Sequence, residues 1–132
     1  MDQAIVLVLW TLLAIQIKHF LCDFGLQTEW QIATKGIYGH PGGLSHAAFH
    51  GIASIPALLI LTGRVSAIAV IVLAEFLVHY HTDWLKARID EHFRLTVQQH
   101  VYWVVFGADQ LVHQLTYVGM ILVILSAGWA RA

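Results

Sequence analysis

Residues 65–83 read VSAIAVIVLAEFLVHYHTD. Ten small or apolar residues come first, and then Glu75, His79 and Asp83 follow at intervals of four. That interval sets all three on one face of a helix, about 6 Å apart along its axis. A membrane crossing takes about 20 mainly apolar residues to traverse roughly 30 Å of hydrocarbon, so residues 65–81 read as a span. An acidic residue in the middle of a span costs about 2.5–3.5 kcal/mol on insertion scales. This stretch therefore predicts both a transmembrane helix and a reason for its polar stripe.

Three more stretches meet the same requirement, at about residues 4–22, 44–62 and 102–129, the last being long enough to tilt or project. The N-terminus has no positive leader region or small-residue cleavage site, so the first segment is expected to be retained. Of the 132 residues 58% are hydrophobic and only 11% charged, whereas soluble domains carry about 25% charged residues. Seven Lys and Arg against eight Asp and Glu, a net charge of −1, exclude the basic footprint of a nucleic-acid binder. The single cysteine, Cys22, excludes an internal disulfide and a CxxC motif, and reads as an apolar filler. The expected fold is an all-α membrane protein, one domain over residues 1–132, built as a four-transmembrane-helix bundle.

Only Thr62-Gly63-Arg64 separates the second span from the third, which makes them a tight hairpin. The other two connections lie on the opposite side. Residues 24–43 read as an interfacial loop or short helix ending in the turn His40-Pro41-Gly42-Gly43. In residues 84–100, Leu85, Ile89, Phe93 and Val97 form one apolar stripe, which predicts an interfacial amphipathic helix between the third and fourth spans, or else an extension of the third. The side with the long connections holds Lys18, Lys35, Lys86, Arg88 and Arg94, and the other side holds Arg64 and Arg131. This asymmetry predicts long connections in the cytoplasm and both termini outside.

The polar residues of the other spans repeat the interval of four: His19 and Asp23, His46 and His50, Asp109 and His113. In an up-down-up-down bundle all of them lie at the end bearing the long connections, with Glu75 deepest, so they can meet in one cluster. Neutral imidazole and carboxylate together are the usual ligands of zinc, and they also suit manganese or iron. His19, Asp23, His46, His50, His79, Asp83, Asp109 and His113 are thus candidate ligands for one or two divalent transition-metal ions. Asp83 and Glu75 are the candidate catalytic carboxylates. A proton relay through Glu75 and His79, or a purely structural network joining the helices, are the competing readings. His40, His81, His92 and His100 read as solvated or interfacial, and the five tryptophans mostly as interface markers.

The segment from His19 to Trp30, with its His-xxx-Asp-Phe-x-Leu-Gln signature followed by Lys35 and Gly36, resembles the opening of a family of small bacterial and phage membrane proteins, domain of unknown function 3307. The resemblance covers most of the chain and implies a multi-pass protein of the bacterial inner membrane with a polar site. It implies no activity. The motif adds Gln27 and Lys35 to the candidate site, and Lys86, Arg88 and Arg94 join them as cations for binding a substrate near the mouth of the cluster. Together these features suggest a metal-dependent membrane hydrolase or transferase acting on a lipid-type phosphate or ester at the cytoplasmic leaflet. The alternatives are a metal-ion or proton transporter or sensor working as a homo-oligomer, and a non-catalytic accessory protein. Membrane lipids are the expected partners.

Overall fold

The computed structural model describes residues 2–131 and is helical apart from short connections. α1 (Gln3–Phe20) begins with Asp2, whose carboxylate accepts a hydrogen bond from the Ala4 amide at 3.0 Å. It passes directly into a π turn, Leu21–Gly25, in which the Leu26 amide reaches the Leu21 carbonyl at 2.9 Å. α2 (Glu29–Thr34) is short and held by a capping box between Thr28 and Gln31. α3 (Pro41–Leu61) starts three residues earlier than the apolar pattern alone predicts. Pro41 presets the first turn, and the His40 ring accepts a hydrogen bond from the Gly42 amide at 3.1 Å. His40 is thus a helix cap as well as an interfacial residue.

α4 (Val65–Phe93) is one helix of 29 residues. The expected separate interfacial helix is instead its last turns, the second of the two readings. No Gly or Pro interrupts residues 80–93, and the ion pairs Lys86–Asp90, at 2.6 Å, and Arg88–Glu91 support the continuation. The helix stops at Arg94, which adopts the left-handed conformation with φ 51°, while the Leu95 amide caps the Asp90 carbonyl at 2.8 Å. α5 (His100–Ser126) ends three residues before the predicted Trp129, at a turn where Gly128 takes φ +65°.

α1, α3, α4 and α5 are each long and apolar enough to cross a membrane, so the chain is a multi-pass membrane protein. Their outward faces expose large apolar side chains such as Leu9, Ile52, Leu73, Leu111 and Leu122, as a surface against lipid requires. Their inward faces divide the bundle into two halves. Near the α3–α4 hairpin, Ile15, Leu58, Leu61, Ile68, Ile71, Met120, Ile121 and Ile124 form a continuous apolar core. The chain end is tied to that hairpin, with the Arg131 amide on the Leu61 carbonyl at 2.8 Å and the Thr62 hydroxyl on the Trp129 carbonyl at 2.6 Å. The polar half lies at the other end.

α3 and α4 approach closely at Gly51, where an added Cβ would stand 3.1 Å from Val72 Cγ1 and 3.3 Å from the Val72 carbonyl oxygen. Gly51→Leu should therefore lower stability in detergent by about 1–3 kcal/mol through overpacking. Gly119→Leu, where nothing lies within 4 Å, should leave the thermal midpoint unchanged or higher. Melting curves by circular dichroism test the pair.

Candidate metal centre

Four helices and the π turn bring the polar stripes together. α1 supplies His19 in its last turn, and the π turn supplies Asp23. α3 supplies His46 and His50, α4 supplies Glu75, His79 and Asp83, and α5 supplies Asp109 and His113. All eight predicted ligands lie in this one cluster, and His46, His50, His79 and His113 are each no more than 2% exposed. π turns inside helices recur at functional sites, and here the wider turn presents Asp23 to three histidines.

Two carboxylates organise the cluster. Asp23 Oδ1 stands 2.9 Å from His50 Nε2 and 3.2 Å from His46 Nε2, while its Oδ2 is 3.3 Å from His19 Nε2. Asp83 Oδ2 lies 3.5 Å from His46 Nε2 and 3.7 Å from His79 Nε2, and its Oδ1 lies 3.3 Å from His113 Nε2. Asp109 Oδ1 is 3.6 Å from the same His113 nitrogen. Ligands about 2.0–2.1 Å from a tetrahedral ion are about 3.3 Å apart, so these separations match the edges of a coordination shell. Two groups have ligand atoms within 4.8 Å of one another, Asp23 with His46, His50 and His79, and His79 with Asp83 and His113.

Hydrogen bonds leave much of the cluster unsatisfied. Despite the short approaches, Asp23 Oδ1, His50 Nε2, both ring nitrogens of His46 and His79, and Asp109 Oδ1 are buried without a hydrogen-bond partner. In a bilayer core each unsatisfied polar group costs several kcal/mol. Imidazole and carboxylate lone pairs that converge in this way could hold a cation. Cys22, though buried, belongs to neither group, so the donor set is nitrogen and oxygen only.

Three residues that the sequence reading left out complete the site from below and from the side. Lys18, read there as a positive-inside residue, is buried and donates to Glu75 Oε1 at 2.6 Å, the His50 carbonyl at 3.2 Å and the Tyr117 hydroxyl at 3.4 Å. His50 Nδ1 also lies 3.4 Å away, so four polar atoms surround the three ammonium protons. Tyr117 shares a hydrogen bond with His19 Nδ1 at 2.8 Å, and Gln110 Oε1 with His19 Nε2 at 3.0 Å. Tyr117 continues the Asp109-His113 series by four more residues, a signal present in the sequence. Lys18 follows Thr11 and Ile15 on the buried face of α1, where its charge hides the pattern. Glu75 is thus engaged by Lys18 rather than free, and Lys18 drops out of the charge asymmetry, leaving four cations against two.

A small cavity of about 60 Å³ opens above the cluster, lined by Asp23, Gln27, Lys35, Asp83, Lys86 and Asp109 among others. Gln27 reaches it although α1 does not continue so far, and its amide nitrogen is buried without a partner. Lys35, just past α2, lies 3.4 Å from Asp83 Oδ2. Its placement depends on Gly43, whose missing Cβ would sit 3.3 Å from Lys35 Cα. Arg88 and Arg94 are not brought to this mouth. Because α4 continues unbroken, Arg88 falls on the opposite face from Lys86 and pairs with Glu91, half exposed, while Arg94 ends the helix.

The family model described as "Protein of unknown function (DUF3307)" matches residues 8–131. The chain belongs to this family. The match spans every helix that contributes to the cluster, in agreement with the motif at His19 to Gln27. No curated protein and no solved structure matches the chain, so the site's chemistry has to be read from its residues.

The buried Lys18–Glu75 pair makes a specific demand on stability. Removing one partner, by Lys18→Met or Glu75→Met, should destabilise the bundle by about 3–5 kcal/mol, because an unpaired charge or carboxyl is left in the interior. The double change Lys18→Met with Glu75→Met should recover most of the loss. Denaturant titrations of the four proteins in detergent measure the coupling directly.

Proposed function

We propose that the protein is a metal-dependent integral membrane enzyme, a hydrolase or transferase that acts on a lipid-type phosphate or ester at the cytoplasmic leaflet. The observation that carries this reading is the set of unpartnered, converging imidazole and carboxylate atoms directly beneath a polar cavity. In this reading Asp23, His46, His50 and His79 hold one divalent ion. Asp83, His113 and Asp109 hold a second, with the Asp83 carboxylate facing both groups. Zinc is the first candidate, since all donors are nitrogen or oxygen and the spacings suit four ligands, and manganese or iron fit the same donors. Bound ions of this kind polarise a substrate oxygen and lower the pKa of bound water to about 7.

The chain's own residues supply the rest. Lys35 and Lys86, paired with Asp83 and Asp90, offset the three carboxylates that line the cavity, and together with bound cations and the unpaired Gln27 amide donor they suit a phosphate oxygen. Tyr117 and Gln110 engage both ring nitrogens of His19, which leaves it beside Asp23 as a bracing residue and not a ligand, and Lys18 braces the backbone of His50, so Asp23 and His50 are oriented before an ion arrives. The cavity is at the end of the bundle where four of the six remaining cations outside the interior lie, which supports a cytoplasmic orientation. A catalytic site fits better than a transport path, because Glu75 is held by Lys18 and the apolar core closes the bundle beyond it.

Elemental analysis of protein purified in detergent without chelator tests the reading. About two equivalents of one transition metal are expected, falling to about one or fewer in His50→Ala with helical content unchanged. Less than about a tenth of an equivalent overturns the reading. Asp83→Asn should lower phosphate release from a lipid phosphate by about 10–100-fold or more. Uptake of the metal into proteoliposomes would instead identify a transporter.

A further inference from the structure

An apolar groove of about 180 Å³ runs between α4 and α5 on the lipid side. Leu85 and Ile89 of α4 line it from one flank, and Val105 and Ala108 of α5 from the other. Two charged residues also line it, Lys86 and Asp109, and these same two line the polar cavity above the metal ligands. Other hollows on the membrane face, such as the one bounded by Val6, Leu9, Trp10 and Leu13, are apolar throughout. The α4–α5 groove is therefore set apart by its inner wall, which is shared with the candidate site.

We infer that this groove holds the apolar chain of a lipid phosphate monoester, with the phosphate in the adjoining cavity, so that the substrate enters sideways from the leaflet. This rests on the catalytic reading above. A chamber lined by aliphatic side chains and joined through a lysine to a polar chamber suits a ligand with both characters. The polar chamber, about 60 Å³, has the liquid volume of about two waters. That admits a phosphate and leaves little space for a larger head. Lys86 is placed to meet the head at the junction. Its ammonium pairs with Asp90 at 2.6 Å and lies 4.8 Å from the centre of the Tyr102 ring, which holds it at the wall between the two chambers. The continuation of α4 past Tyr80 creates the groove, since it carries Leu85, Lys86 and Ile89 alongside α5.

Photocrosslinking in vesicles tests this without depending on turnover. With Ala108→p-benzoylphenylalanine in vesicles containing equal phosphatidic acid and phosphatidylcholine, phosphatidic acid should be labelled about tenfold more, the equivalent of about 1.4 kcal/mol. Inorganic phosphate should compete, and Lys86→Met should reduce the preference. The same photoreactive residue at Leu73, which faces lipid beside an apolar hollow, should label both lipids alike. Equal labelling at position 108 overturns the proposal. Metal analysis of the same preparation separates the two readings. Bound metal with equal labelling rejects the groove alone, and preferential labelling in metal-free protein rejects the catalytic reading while the groove stands.

Discussion

Lys18 and Glu75 meet at 2.6 Å where the polar half of the bundle gives way to its apolar core. A charge brought into hydrocarbon is tolerated only with a partner, and this pair joins α1 to α4 at a single depth. The same ammonium reaches the His50 carbonyl on α3 and the Tyr117 hydroxyl on α5. One side chain thus touches all four spanning helices. Their register is set here, and the imidazoles above inherit it. On the other side of the pair the packing is apolar apart from the hydroxyls of Thr11, Ser54 and Thr62, which closes the cluster at its inner end.

Above that anchor the site is built from stripes that each helix carries independently. An interval of four residues is enough to align two polar groups on a helix, but it does not make them meet groups from another helix. The bundle does that, and the π turn refines it. By widening the backbone at residues 21–25, the turn sets Asp23 against His46 and His50 across the interface between α1 and α3. His113 and Asp83 share a hydrogen bond at 3.3 Å, but Asp23 Oδ1, His50 Nε2, Asp109 Oδ1 and the ring nitrogens of His46 and His79 have none, so burial alone does not account for them. Such a geometry could hold a cation.

Most of the polar cluster was readable from residue type and spacing because transmembrane helices are regular and polar residues within them are rare. Lys18 escaped because a lysine near a helix end is usually an interfacial anchor, and nothing local marks it as turned inward. Tyr117 and Gln110 escaped because tyrosine and glutamine are commonplace near polar sites, although Tyr117 lies on the Asp109-His113 stripe. Arg88 and Arg94 were grouped with Lys86 by sequence proximity. The helix separates them, since residues two apart point in different directions.

The sequence by itself determined that this is a four-span membrane bundle with a His and Asp cluster at one end, since hydropathy and the interval of four depend only on local geometry. The tertiary structure decided which polar groups are already paired and which are left open. It also decided that the third span runs on to Phe93, and that Gln27, Lys35 and Lys86 share a cavity with the cluster. These are relations between helices far apart in the chain. Helix crossing, the α1 π turn and the close contacts at Gly43 and Gly51 settle them through packing, which no single segment encodes.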